Sequence, residues 1–283
     1  MMERDMPPGG PGAQSVDRAL ALLSLIGRHP AEGIALPAIV DSTGLSRPTA
    51  RRLLLALIRA QMVEQDSTTR RYFLGEETYM LGVLAAQRFD MMDLTQDSLT
   101  DLAVLSGDTV FLSVRRDSFS LCLKKEEGAF PIRTHALQVG GRHPLGVGAG
   151  SLAMLAALPE QERAEMLKRN KDLLARSFPG CTPQALAPLI RDAVQHGYCV
   201  NPGLVLTNSW AVGAAFRMPG GRVTGAISIA AIDSRMGPDR QAELGAALLA
   251  ETARIEARMV NSFALRTTSP PRNAMAQTGR MAG

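Results

Sequence analysis

Arg47, Arg51 and Arg52 fall within six positions, just after the turn Thr43-Gly44-Leu45 and just before a run of leucines. A guanidinium carries five donors in a fixed fork, a shape that grips guanine O6 and N7, or a phosphate, with two hydrogen bonds. Ser46 and Thr49, between and beside these arginines, add hydroxyls able to bond a phosphate or a base edge. Further on, Arg70 and Arg71 are placed for phosphate or minor-groove contacts, which position a protein on DNA more than they specify sequence. The alternative is the solvated outer face of an ordinary amphipathic helix. Three features favour DNA. No acid lies between Ser46 and Ala60, a glycine turn precedes the arginines at the spacing a helix-turn-helix needs, and a hairpin with two more arginines follows.

Other chemistry is thinner. Gly146, Gly148 and Gly150 form a GxGxG stretch within residues 144–151, just before a helix, so backbone N–H groups there can meet an anion. The same glycines also suit a tight loop with no ligand, and the spacing is not the GxGxxG of a dinucleotide site. His196 and Cys199 have an H-x-x-C spacing, but two ligands without a second pair make a weak metal site, and a surface histidine beside a buried cysteine explains them as well. Cys122, Cys181 and Cys199 are odd in number with no CxxC pair, which points away from disulfides and zinc and toward a reducing cytoplasm. His29, His135, His143 and His196 have no serine or cysteine beside them in a nucleophile-elbow setting. No catalytic residue, metal or cofactor is therefore expected.

The arginines need a scaffold. Val16, Ala19, Leu20, Leu23 and Ile26 follow helical spacing until a Pro/Gly stretch at residues 30–33, and a second short helix fits residues 36–42. Ser46 is the N-cap of a third helix whose first turn tolerates Pro48. Ala50, Leu53, Leu54, Leu57 and Ile58 make one buried stripe, with Arg52 and Arg59 opposite it and Arg51 on its border. "MVEQDSTTRRYFL" reads as two strands around a turn at residues 66–69. This order, helix, helix, turn, helix, hairpin, is that of a winged helix-turn-helix over residues 14–75. A linker helix fits residues 76–90. The stretch 91–266 alternates strands ("DTVFLSVRR", "FSLCLKK", "PIRTHALQV", "WAVGAAFRM", "RVTGAISIA") with helices near 94–105, 148–157, 183–196 and 238–263, an antiparallel α+β domain.

With 283 residues, 46% of them hydrophobic, the chain can build two such domains. Net charge is only +4, so a DNA site must come from local clustering. Residues 1–13 and 267–283 have the composition of disordered tails. No stretch of 18 uncharged apolar residues occurs, and a soluble protein with no membrane partner is expected.

Four stretches in order, "VDRALALLSLI", "GLSRPTARRLLLALIRAQMVEQDSTTRRYFLG", "HPLGVGAGSLAMLAAL" and "IRDAVQHGYCV", resemble successive signatures of the IclR family of bacterial transcriptional regulators, a likeness running over residues 15–262. The resemblance implies that the arginine helix is a recognition helix, with Thr49 and Arg52-Leu53-Leu54 matching its pattern. It also implies a C-terminal effector domain, similar to GAF and profilin-like folds, that binds a small molecule, often an organic acid. Aligned motifs put Ala149, Gly150, Asn201, Ser209, Ala211, Ser228 and Ala230 in that site, with Ile132 and His135 on a bordering strand. A homodimer or dimer of dimers would read an inverted-repeat operator in double-stranded DNA, and the linker helix would carry the effector's signal.

The chain departs from the family pattern at Ser151-Leu152, where Gly-Lys is common, at Leu204, where an acid is common, and at Asn208, where Gly is common. A less polar pocket rim follows. Trp210 fits either a pocket lid or the core. Two other readings stay open: a C-terminal domain that only oligomerises, and an enzyme with an appended DNA-binding module, for which no nucleophile, base or phosphate loop is found.

Overall fold

The computed structural model describes residues 14–86, 91–133 and 137–268. They divide into two compact units, one built on residues up to 91 together with 138–142 and one on residues 92–137 and 143–268.

In the first unit, α1 (Gln14–Ile26), α2 (Leu36–Thr43) and α3 (Arg47–Arg59) pack around one apolar core. Helix α2 ends where Gly44 turns left-handed (φ +66°) and its N–H reaches back to the Val40 carbonyl, a conformation that costs glycine little. Three residues later Ser46 opens α3, its Oγ accepting from the Thr49 N–H at 3.4 Å. Ala50, Leu53 and Leu54 are buried and Leu57 and Ile58 half-buried, so the apolar stripe faces the core. Each buried leucine contributes about 1.5–3 kcal/mol, enough to hold a helix whose outer face carries Arg47, Arg51, Arg52 and Arg59. Strands β1 (Val63–Gln65) and β2 (Tyr72–Leu74) pair antiparallel, and Ile34 bridges to Tyr72. Helix α4 (Glu76–Ala86) follows, with Tyr79, Leu81 and Leu84 all exposed.

In the second unit, α5 (Met91–Ser106) precedes β3 (Thr109–Arg116) and β4 (Phe119–Glu127), an antiparallel pair. Then come β5 (Arg142–Pro144), α6 (Ala149–Ala156), α7 (Glu160–Ser177), α8 (Pro183–His196), β6 (Tyr198–Pro202), β7 (Ser209–Arg217), β8 (Val223–Ile232) and α9 (Pro238–Thr268). The strands form one sheet in the order β5-β4-β3-β8-β7-β6. Alternation gives it two working faces. Tyr198 packs against Gly245 of α9, and Ala214 pairs with Tyr198, so the even-numbered residues of β7 face α9. Gly213 faces the other way. A methyl group there would lie 2.7 Å from the Ala149 carbonyl carbon, so the first peptide of α6 rests directly on the strand. All eight residues of α6 are buried. Its C-terminal carbonyls are capped by cations, Arg163 donating to Ala156 and Leu158 and Arg217 to Ala157.

Asp108, its side chain 1% exposed, holds the start of β3 to the start of α9. Both arms of Arg235 and one of Arg240 donate to its carboxylate at 3.0–3.1 Å, and both arginines also reach the Ser106 carbonyl.

The sequence reading and the structure part at three places. The described residues of "PIRTHALQV" form no strand: Pro131 lacks an N–H to give a ladder, Ile132 is 55% exposed, and β5 takes the place beside β4. Helix α7 was not expected at all. And α9 runs on to Thr268, two residues into the stretch read as a tail.

Candidate DNA-binding face and effector cavity

Arg47, Arg51 and Arg52 are all exposed, and none makes a hydrogen bond or ion pair within the described residues. This is unusual in a chain whose other arginines are mostly committed: Arg115 to Glu162, Arg169 to Asp117, Arg235 and Arg240 to Asp108, Arg258 to Asp97. The α3 cations are held on a rigid helix with nothing to neutralise them. Ser46 spends its oxygen on the N-cap and lies 2.8 Å from the Thr49 hydroxyl. Both hydroxyls therefore sit at the exposed N-terminal turn, the end of a helix that admits an anion.

In the wing, the Thr69 hydroxyl and N–H both donate to Asp66 at 2.6 Å and hold that carboxyl below its ordinary range. The turn is therefore fully formed at neutral pH. Arg70 is exposed and adopts a left-handed backbone (φ +59°). Arg71 has an internal role: its Nη1 donates to the carbonyls of Glu32 and Gly33 at 3.2 and 3.1 Å, stapling the loop before α2 to the hairpin.

The second unit holds a cavity between the α6 face of the sheet and the loops at residues 144–148 and 203–208. Its atom-free space is about 560 Å³ with the open mouth included, of which about 50 Å³ admits the centre of a water molecule. Ala149, Gly150, Asn201, Ser209, Ala211, Ser228 and Ala230 all line it. Ile132 does not, and His135 lies outside the described residues. Trp210 points to the opposite face of the sheet from Ser209 and Ala211 and is not in the lining.

Several lining residues escaped the sequence reading, Phe111, Ser113, Ser120, Leu137, His143 and Val205, while Val147, Gly148 and Ser151 fall in the 144–151 stretch read as able to meet an anion. For two of them a signal existed. Phe111 pairs with Ser228 and Ser113 with Ala226, so β3 puts them on the cavity face once Ser228 is placed there. Ser151 belongs to the frame: its hydroxyl donates to the Pro144 carbonyl at 2.9 Å and accepts the Gly146 N–H at 3.1 Å, fixing the loop that leads into α6.

Helix α6 and Asn201 both present donors to a guest. Helix α6 has Gly148 at its N-cap with no side-chain cap, so its first N–H groups open toward the cavity. Asn201 is 2% exposed, and its Nδ2 has no hydrogen-bond partner, while its Oδ1 accepts the Leu204 N–H at 3.1 Å. That acceptor role fixes which end of the amide is which.

Burial holds His143 below its ordinary pKa, so it stands neutral at pH 7 beside the edge of the Phe178 ring. The unfolded chain takes up a proton there as pH falls through 6.5, while the folded chain resists. Stability must therefore drop on acidification, and His143→Gln should flatten that part of a melting-temperature profile measured between pH 7.5 and 5.5 in about half-unit steps. A variant profile parallel to that of the parent would show that other groups carry it.

Cys199 is no ligand partner for His196. Its buried thiol, pushed up to about 12 by loss of solvent, donates to the Ala149 carbonyl, and His196 bonds the Asp192 carbonyl instead.

Comparison with known proteins finds matches in both units. The family model for the IclR helix-turn-helix domain matches residues 15–67, and that for the bacterial transcriptional regulator IclR C-terminal domain matches residues 83–257. The HTH-type transcriptional regulator KipR of Bacillus subtilis is 26% identical over 227 residues, covering 80% of this chain and 89% of that protein. The HTH-type transcriptional repressor AllR of Escherichia coli is 26% identical over 251 residues, covering 88% and 90%. Among solved structures, an IclR regulator from Silicibacter superposes with a TM-score of 0.74 at 23% identity, covering 87% of this chain and 96% of that one. An IclR homologue from Microbacterium hydrocarbonoxydans, in complex with 4-hydroxybenzoate, superposes at 0.70 with 19% identity, covering 87% and 99%. With a free arginine helix in one unit, a lined cavity in the other, and family matches spanning both, the chain belongs to the IclR family of transcriptional regulators.

Proposed function

We propose that this protein regulates transcription by binding an inverted-repeat operator as a homodimer or dimer of dimers, and that a small organic acid in the C-terminal cavity sets its affinity for that DNA. The observation that carries the DNA half is the set of three arginines on α3 with no internal partner. The N-terminal turns of such a helix fit the major groove, where a guanidinium reads guanine and the hydroxyls of Ser46 and Thr49 reach phosphate or base edges. Arg70, exposed on the wing, adds a phosphate contact; Arg71, also exposed, shapes the wing through its Nη1. The exposed Tyr79, Leu81 and Leu84 on α4 offer an apolar surface for a second copy.

The effector half rests on the unpartnered Asn201 amide and the open start of α6. A carboxylate can accept from both. The complex of the Microbacterium homologue with 4-hydroxybenzoate supports an acid ligand in this fold. A ligand that binds one arrangement of the protein better shifts the population toward it, and DNA affinity follows.

Fluorescence anisotropy on the DNA upstream of this protein's own gene, against a scrambled duplex, tests both halves. Tight binding to the first that falls steeply with salt is expected. Acid ligands found to change that affinity should lose their effect in Ser228→Leu, whose larger side chain fills the cavity wall, while binding without ligand persists. A normal response in that variant would remove Ser228 from the site. Equal, weak binding to this and to every selected duplex would remove the regulator reading.

A further inference from the structure

We propose that the effector cavity admits acids bearing a single negative charge and turns away those bearing two. The inference rests on the acid-effector reading above and narrows it. It begins with what the wall lacks. Among the described residues, no lining side chain carries a formal charge, since serines, alanines and glycines make up most of it and burial keeps His143 neutral.

What positive potential exists is confined to one end. The start of α6 carries roughly half an elementary charge from its aligned peptides, and no side chain caps it. Ser151, which could have done so, turns its hydroxyl to the Pro144 carbonyl and the Gly146 N–H. Beside it the Asn201 Nδ2 is buried with no partner, and cannot exchange roles with Oδ1, because Oδ1 already holds the Leu204 N–H. One carboxylate satisfies this end. The remaining wall offers the hydroxyls of Ser209 and Ser228 and the apolar surfaces of Phe111 and Val205. A neutral polar group finds partners there. Among the described residues a second carboxylate finds no cation, and an ion removed from water without one is strongly disfavoured. The same penalty falls on a phosphate monoester, which carries nearly two charges at neutral pH.

The test uses acids of one shape that differ by one charge: terephthalate against 4-carbamoylbenzoate, and succinate against succinamate. Binding to the full chain is measured by calorimetry at pH 7.5, each compound up to millimolar concentration. Each monoamide should bind at least about tenfold tighter than its dicarboxylate. Asn201→Leu should weaken the monoamides several-fold. The ratio within each pair is read on the unmodified protein, so the conclusion does not depend on how that variant folds. A dicarboxylate that binds as tightly as its monoamide overturns the single-charge rule and leaves the acid-effector reading standing. Failure of all four compounds to bind overturns both.

Discussion

Arg51→Ala and Arg52→Ala, made one at a time, will each weaken binding to the specific operator by about 1–3 kcal/mol, roughly fivefold to 150-fold, while leaving the fold intact. Both side chains are exposed and free of internal partners, so their removal breaks nothing within the protein. Stability should stay within about 0.5 kcal/mol. The pattern of loss separates the two possible roles. A base-reading arginine loses affinity for the operator and not for a scrambled duplex; a phosphate-binding arginine loses on both, and the slope of log affinity against log salt falls by about 1. Unchanged affinity on the operator would take that residue off the DNA face. Arg71→Ala provides a contrast, because its guanidinium holds the Glu32 and Gly33 carbonyls and its loss should show first as a less stable first unit.

Asp108→Ala should cost the second unit about 3 kcal/mol, the scale for breaking a buried ion pair from one side. Three charge-assisted hydrogen bonds disappear at once, leaving the guanidiniums of Arg235 and Arg240 the Ser106 carbonyl and Arg235 its stacking on the Phe130 ring. Both remain partly exposed, at 27% and 29%, which keeps the cost at the lower end of that scale. Trp210 is the sole tryptophan of the chain and lies on β7, so its fluorescence reports unfolding of this unit alone. The urea midpoint should move down with little change in slope. A midpoint that stays put would mean that α9 is held to β3 without this cluster.

The first unit was legible because its signals are local. Ser46, Pro48 and the i, i+3, i+4, i+7, i+8 stripe from Ala50 to Ile58 fix where α3 begins and which face it buries, and the arginines take the face that remains. In the second unit, helix α7 stayed hidden since only Met166, Asn170 and Leu174 are buried along its 18 residues. A stripe that narrow, with an asparagine in its middle bonded to the Ser118 carbonyl, does not stand out from charged sequence around it. The strand read into residues 131–139 is absent from its described residues for the opposite reason: alternation was present, but a strand also needs a neighbour, and β5 holds that place. For the cavity, aligned motifs led to Asn201, Ser209, Ala211, Ser228 and Ala230. His143 went unnoticed because nothing beside it in sequence is reactive; only the fold of β5 beside β4 carries it to the cavity wall.

The seating of α6 on Gly213 has a consequence for how such a protein can diversify. Any side chain at that position would drive into the peptide at Ala149, so the seat of α6 on the sheet is closed to change. Ser209, Ala211, Ser228 and Ala230 stand around it on the same face of the sheet, with their Cβ atoms toward the cavity. Descendants of this gene can therefore drift toward new signals by exchanging small side chains at those four places, while the anion-facing end of α6 is inherited unaltered. Selection has a fixed anchor and a variable wall to work with, and a change of the proposed effector is within reach of one or two nucleotide changes.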